Sequence, residues 1–233
     1  MTADMHTHVL PGIDDGSPDV AVSVRMLDAM WAQGVRRVAA TPHFYANHDT
    51  PQRFLRRRAE AAEKLRQVWK WEDLDLRIGG EVHYFEGISD CDALREMAIE
   101  GTDLIMVEMN AAPWSERVFE ELAEIKRKHN LTPVVAHLDR YITPLRSYGI
   151  PARLEQLGVL VQVNANSLLH GATRRMVLNL LKRGQAHLLG SDCHGMGSRK
   201  PDVAEAWRIL ESKLDTQTLR ELSRLEDAIW KKG

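Results

Sequence analysis

Residues 2–44 read "TADMHTHVLPGIDDGSPDVAVSVRMLDAMWAQGVRRVAATPHF". A very short apolar run, "TADMH" (2–6), gives way to a polar loop and then to a segment of helical character, "SPDVAVSVRMLDAMWAQG" (17–34). Ser17 ahead of Pro18 is a helix start signal and Gly34 a stop signal. A second apolar run, "RVAAT" (37–41), again ends in polar residues. Strand, loop, helix, strand is the repeating unit of a parallel sheet.

The unit recurs along the chain. Further candidate strands are "LDLRIGG" (74–80), "DLIMVEM" (103–109), "LTPVVAH" (131–137), "GVLVQVN" (158–164) and "AHLLGS" (186–191). Helical patterns lie between them at 51–71, 115–130, 172–184 and 202–214, with a last one near 216–231. Seven such units without a Gly-x-Gly-x-x-Gly point to a β/α barrel and not to a dinucleotide-binding open sheet. No linker or low-complexity stretch divides the chain, so one domain is expected over 1–233.

Composition narrows the function classes. Basic and acidic residues nearly balance, 31 against 33, which gives no electrostatic case for nucleic acid or a membrane surface. No apolar stretch is long enough to span a bilayer, and "MTADMHTH" carries no basic-then-apolar leader. Cys91 and Cys193 do not make a disulfide framework. A cytoplasmic chain with reduced thiols is the expectation.

Active sites of β/α barrels sit where the strands end. Those ends carry His6 and His8, His43, Glu81, Glu108, His137, and Asp192 with His194; the loop after the first strand adds Asp14 and Asp15. Alternate residues of an extended segment face the same way, so His6-x-His8 aims two imidazoles at one place. His48, His129 and His170 lack such placement and read as surface residues, as Glu116, Glu120 and Glu121 read as a solvated helix face. Imidazoles and carboxylates without a matching thiolate suit Zn, Mn or Fe(II). The eight strand-end groups, joined by one of the two loop aspartates, exceed the need of one ion; two or three ions sharing carboxylates would use them, the pattern of a metallohydrolase.

Taken in order, "DMHTHVLPGIDDGS", "TPHF", "GGEVHY", "VEMNAAP", "AHLDRY", "QVNANSLLHG" and "GSDCHGMGSR" resemble the PHP (polymerase and histidinol phosphatase) superfamily. More closely they resemble its CpsB/CapC-type bacterial protein-tyrosine phosphatases of capsule and exopolysaccharide synthesis, over about residues 4–200. The resemblance implies a distorted seven-stranded (β/α)7 barrel, TIM-like, holding two or three divalent ions: manganese first, with Fe, Zn, Co or Mg as alternatives. It implies His6, His8, Asp15, His43, Glu81, Glu108, His137, Asp192 and His194 as ligands, and Arg140 and Arg199 as the catalytic, phosphate-binding arginines. The expected partner is a phosphotyrosine protein, a membrane tyrosine autokinase of polysaccharide export. This chain departs from the family pattern at Leu138, where a proline is usual, and at Asp139, where a glutamate is. His83 and the "GMG" of 195–197 are also unusual.

One stretch admits a rival chemistry. In "LLGSDCHGMGSRKP" (188–201), Cys193 and Arg199 satisfy the Cys-x5-Arg spacing of thiol-based tyrosine phosphatases. A nucleophilic thiol must be held as thiolate by a helix N-terminus or cations, whereas Cys193 follows Asp192, and alternation turns it away from the side that Asp192 and His194 share. The spacing is read as coincidence. The expected mechanism is attack on phosphorus by a metal-bridging hydroxide, with the arginines neutralising the phosphoryl oxygens. Asp4 is a candidate either for orienting a histidine or for a plain role at the start of the strand. The loop at Phe44 and Tyr45, with Arg53 and Arg56 to Arg58 beyond it, reads as a meeting place for an acidic substrate tail or as a plain solvated basic helix. Competing functions are a small-molecule phosphomonoesterase, such as one for histidinol phosphate, an amidohydrolase, whose usual strand-end lysine is missing here, and a degenerate domain docked on a polymerase.

Overall fold

The computed structural model describes residues 2–143 and 145–231; positions 1, 144, 232 and 233 of the expected domain lie outside them. The chain opens with β1 (Thr2–Thr7), α1 (Val20–Ala32), β2 (Val35–Ala40), β3 (His43–Phe44) and α2 (Pro51–Arg66). It continues through β4 (Asp75–Ile78), β5 (Glu81–His83), α3 (Leu94–Met97), β6 (Leu104–Glu108), α4 (Glu116–His129), β7 (Thr132–Val135) and α5 (Ile150–Leu157). The rest is β8 (Leu160–Asn164), α6 (Ala165–Leu169), α7 (Gly171–Lys182), β9 (Leu188–Gly190), α8 (Val203–Lys213) and α9 (Thr216–Lys231).

All strand pairs are parallel, in a three-stranded sheet β1-β2-β4 and a six-stranded sheet β3-β5-β6-β7-β8-β9. The mixed α/β class is as expected; the strand count is not, being nine in two sheets among the described residues. Two short interruptions account for the difference. β2 stops at Ala40 and the chain resumes as β3 two residues on, while β4 stops at Ile78 and resumes as β5 after Gly79 and Gly80. Backbone bonds cross both gaps, from Gly79 N–H to Ala40 O (2.8 Å) and from Glu81 N–H to Pro42 O (2.9 Å). At the far side β9 runs into β1: Asp192 N–H donates to His6 O (2.8 Å), His8 N–H donates to Cys193 O (3.0 Å), and Thr7 pairs with Cys193.

β1 carries a bulge. Asp4 pairs with Val38 but Thr7 with Ala40, three residues against two. The extra residue reverses the face on which alternate side chains stand. Below the bulge Ala3 and Met5 join Ala39, Met106, Val134, Ile229 and Trp230 in a buried apolar cluster. Above it, His6 and His8 are fully buried. One strand thus supplies oil at one end and imidazole at the other.

α1 starts later than Ser17 because Asp19 is the better cap, its carboxylate accepting Val22 N–H at 2.8 Å and satisfying an orphan helix donor. Ser17 instead closes the preceding loop: its N–H donates to His8 O (3.0 Å) and its carbonyl accepts Gly12 N–H (2.7 Å). At the opposite end of the molecule α9 packs Ile229 and Trp230 into the apolar cluster, and Arg77 stacks on Trp230 at 4.4 Å while donating to its carbonyl at 2.6 Å. No helix among the described residues is long and apolar enough to cross a membrane.

Candidate metal centre

The strand ends bring together every residue of the expected ligand set. His6 Nε2 and His8 Nε2 lie 3.2 Å apart, and Glu81 Oε2 sits 3.2 Å from the first and 3.4 Å from the second. The same oxygen is 3.0 Å from His43 Nδ1, and Glu81 Oε1 is 3.0 Å from His137 Nε2. Asp192 Oδ1 lies 3.4 Å from His8 Nε2. Asp15 Oδ1 meets His43 Nε2 at 3.5 Å and His194 Nε2 at 3.4 Å. Glu108 stands at the edge, 3.7 Å from both His43 and His137.

Three overlapping groups have donor atoms close enough for one cation each: His6, His8 and Glu81; His8, His43 and His194; His43, Glu81 and Glu108. Hydrogen bonds behind the rings show that a cation fits. His6 Nδ1 faces Gln162 Oε1 at 3.2 Å and His8 Nδ1 faces Asp14 Oδ2 at 2.7 Å. Both partners are acceptors, since the Gln162 Oε1 also takes His137 N–H at 2.6 Å; the network therefore assigns the proton of each neutral ring to Nδ1. The two Nε2 lone pairs then point at each other and at a carboxylate, an arrangement only a cation or extra protons can hold. His43 Nδ1, Glu81 Oε2 and His194 Nε2 are buried without a formed hydrogen bond, which costs free energy unless something positive is shared between them.

Electrostatics express the same frustration. Burial opposes charge on His6 and His8, but the Glu81 and Asp192 carboxylates beside the first, and Asp14, Asp192 and Glu81 beside the second, raise both above the usual histidine value. Burial alone would raise Glu81 and Asp192; the imidazoles hold Glu81 well below the ordinary carboxylate range, and Arg140 joins them in lowering Asp192. His194 is pushed down to about 4 by burial and by the positive His8 and Arg199.

Arg140 and Arg199 both reach Asp192: Arg140 Nη2 binds Oδ2, and Arg199 Nη2 binds Oδ1 at 2.6 Å. Both remain partly exposed, at 40% and 38%. His137 and Asp192 take left-handed backbone angles, φ 34° and 52°, which cost non-glycine residues about 1–3 kcal/mol and cluster at functional sites. The departures beside Arg140 serve its loop. Leu138 is fully buried, and Asp139 accepts Asn164 N–H at 2.9 Å and Ser167 Oγ–H at 2.6 Å.

Several contributors had no signal in the pattern of strand ends. Gln162 holds His6 and His137, and Asn164 Nδ2 donates to Asp192 at 3.3 Å; both are inward residues of β8, where an amide reads as ordinary strand. Asp14 turns out to be the residue behind His8, and also accepts the N–H of His43 at 3.0 Å. Unusual His83 binds Glu108 at 3.0 Å, and the Tyr45 hydroxyl donates to the same carboxylate at 3.3 Å. Asp4 touches backbone and not a ring, taking Ser191 N–H at 2.8 Å. Cys193 is wholly buried in the apolar core, and burial, with Asp4 and Asp192 nearby, pushes its thiol well up. Arg199 is turned to Asp192, and the charges acting on the thiol are the carboxylates of Asp4, Asp192 and Asp202.

The profile of the family described as capsular polysaccharide synthesis, CpsB/CapC, matches residues 2–228. The tyrosine-protein phosphatase YwqE of Bacillus subtilis is 28% identical over 227 residues, covering 92% of this chain and 85% of its own. The tyrosine-protein phosphatase CpsB of Streptococcus agalactiae is 23% identical over 217 residues, covering 89% and 88%. Among solved structures, one from a study of YwqE from Bacillus subtilis and CpsB from Streptococcus pneumoniae, described as unique metal-dependent tyrosine phosphatases, superposes with a TM-score of 0.80 at 22% identity over 97% of this chain and 93% of that one. A phosphotriesterase homology protein from Escherichia coli shares the fold more distantly, at TM-score 0.53 and 14% identity over 94% of each chain.

Proposed function

This chain belongs to the CpsB/CapC family of capsular polysaccharide synthesis, and from that premise we propose that it hydrolyses phosphotyrosine on protein substrates with the aid of two or three divalent ions. The observation that carries the reading is the convergence of three overlapping ligand groups, each holding a buried atom without a hydrogen bond (His43 Nδ1, Glu81 Oε2 or His194 Nε2), beside two arginines gathered on one carboxylate. We read His6, His8, Asp15, His43, Glu81, Glu108, His137, Asp192 and His194 as the ligands, with manganese as first candidate. The ions would supply a water of lowered pKa, about 7, and polarise the phosphoryl oxygens.

The chain's own residues do the rest. Asp14 and Gln162 fix the tautomer and aim of His8 and His6, the usual task of groups behind metal-binding imidazoles. Arg140 and Arg199 offer planar, permanently charged forks to the phosphate oxygens, and their partial exposure leaves them open to substrate. A tyrosyl leaving group has a pKa of about 10 and so asks for less proton donation than an alkoxide. Residues 1–233 form a single catalytic domain in this reading, with β2–β3 and β4–β5 as two broken strands in a seven-position barrel. Its substrate is a tyrosine autokinase of polysaccharide export, met from the cytoplasm.

The test is phosphate release from a phosphotyrosyl peptide by chelator-stripped protein, with and without Mn²⁺. Turnover only with metal is expected. Turnover that persists without metal would overturn the reading.

A further inference from the structure

We infer that the pocket opening at Asp15 is the subsite for the aryl ring of the substrate, and that its far end selects an acidic residue next to the phosphotyrosine; this rests on the phosphatase reading above. Asp15 is the hinge of the geometry. It is largely exposed, lies 4.0 Å from Arg199 Nη1, and faces both His43 and His194. A phosphate held by Arg199 therefore lies beside the mouth that Asp15 and His43 share with a pocket of about 300 Å³, toward which its ester oxygen can be directed. That is the lower end of the range for small-ligand sites, roughly 300–1,000 Å³, and suits a side chain better than a cofactor.

The walls near the mouth are aromatic and fixed. Tyr45 is tilted against His43 at 5.1 Å and His83 at 5.2 Å, and its hydroxyl is pinned on Glu108. A turn in which His48 and Asp49 N–H groups both donate to Tyr45 O at 3.0 Å stands His48 edge-on to the Tyr45 ring, at 6.2 Å and 90°. Aryl rings gain from such edge and offset contacts beyond the area they bury; a saturated chain does not. Beyond the walls the charge turns positive. Arg53 and Arg57 both lean on Asp49, at 3.6 and 3.0 Å, so one carboxylate serves two guanidiniums. Arg57 is also held by Ile13 O, whereas Arg53 is exposed and free to take a second anion. Arg58 is committed to Gly79 O and Glu96 O, and neither it nor Arg56 lines the pocket.

Two ratios test this on metal-loaded protein. The first is kcat/KM for phenyl phosphate over that for ethyl phosphate, in wild type and His48→Ala; His48 is exposed, and a thermal melt confirms the fold. We expect the ratio to fall about tenfold, the size of one aromatic contact. The second is kcat/KM for a Glu-flanked over a Lys-flanked phosphotyrosyl peptide, which Arg53→Glu should reverse. A ratio that does not move overturns the half it tests while leaving the phosphatase reading in place. Failure of the wild type to hydrolyse any of the four compounds would overturn that reading, and this inference with it.

Discussion

Asp14 and Asp15 are neighbours with different work. Asp14 is buried behind His8 and its carboxyl is lowered to about 2, burial being outweighed by His8 and two backbone N–H groups; Asp15 looks outward over the cluster. Asp14→Ala should weaken metal binding about 10–100-fold, measured by competition with a chelating dye, without removing a ligand. Cys193→Ala should cost about 1 kcal/mol of stability and leave turnover of a phosphotyrosyl peptide intact; an inactive but folded variant would restore the thiol mechanism. The convergence of these candidate side chains at the strand ends was legible in the sequence because imidazoles and carboxylates stand out against apolar strands. Gln162 and Asn164 were not, since an amide in a strand announces nothing until its partners across the sheet are known. Nor could the sequence say which of two adjacent aspartates turns inward.

Strand cores were readable from their apolar runs, and the long helices from the helical patterns between them, apart from the start of α1, which Asp19 and not Ser17 caps. The breaks at 41–42 and 79–80 and the bulge in β1 were not, because each is set by the neighbouring strand. Gly190, at the end of β9, marks how closely those neighbours approach. A Cβ there would meet His6 Cβ at 2.5 Å and Gln162 Nε2 at 2.9 Å. Gly190→Ala should destabilise by about 1–3 kcal/mol and loosen metal binding together, as chemical denaturation and metal titration would show. At the other end of the sheet, α9 buries Glu226, whose carboxyl burial raises from 4.5 to about 8 against the pull of Arg37. Between those values the folded protein binds the extra proton, so stability falls as pH rises, by at most about 1.4 kcal/mol per unit. Glu226→Gln should flatten the decline seen in melts from pH 5 to 8; a slope equal to the wild type's would place the titration elsewhere.

Across the described residues, the ends of β1, β3, β5, β6, β7 and β9 aim charge at one spot, and the fold stands under that load. A cation that satisfies it binds only the folded state, so metal should raise the melting temperature with concentration, by about 2.7 kcal/mol of stability at a hundred times its dissociation constant. The two arginines resting on Asp192 have a further consequence, a thermodynamic coupling between the ion and the anion. While Asp192 neutralises them, an incoming phosphate must compete with a carboxylate already in place. A cation that draws on Asp192 releases the guanidiniums, so inorganic phosphate should bind the loaded protein more tightly than the stripped one, by a factor within the common range of about 5–150. Reciprocity then requires phosphate to tighten the metal by the same factor, and calorimetry run in both orders of addition would close the cycle.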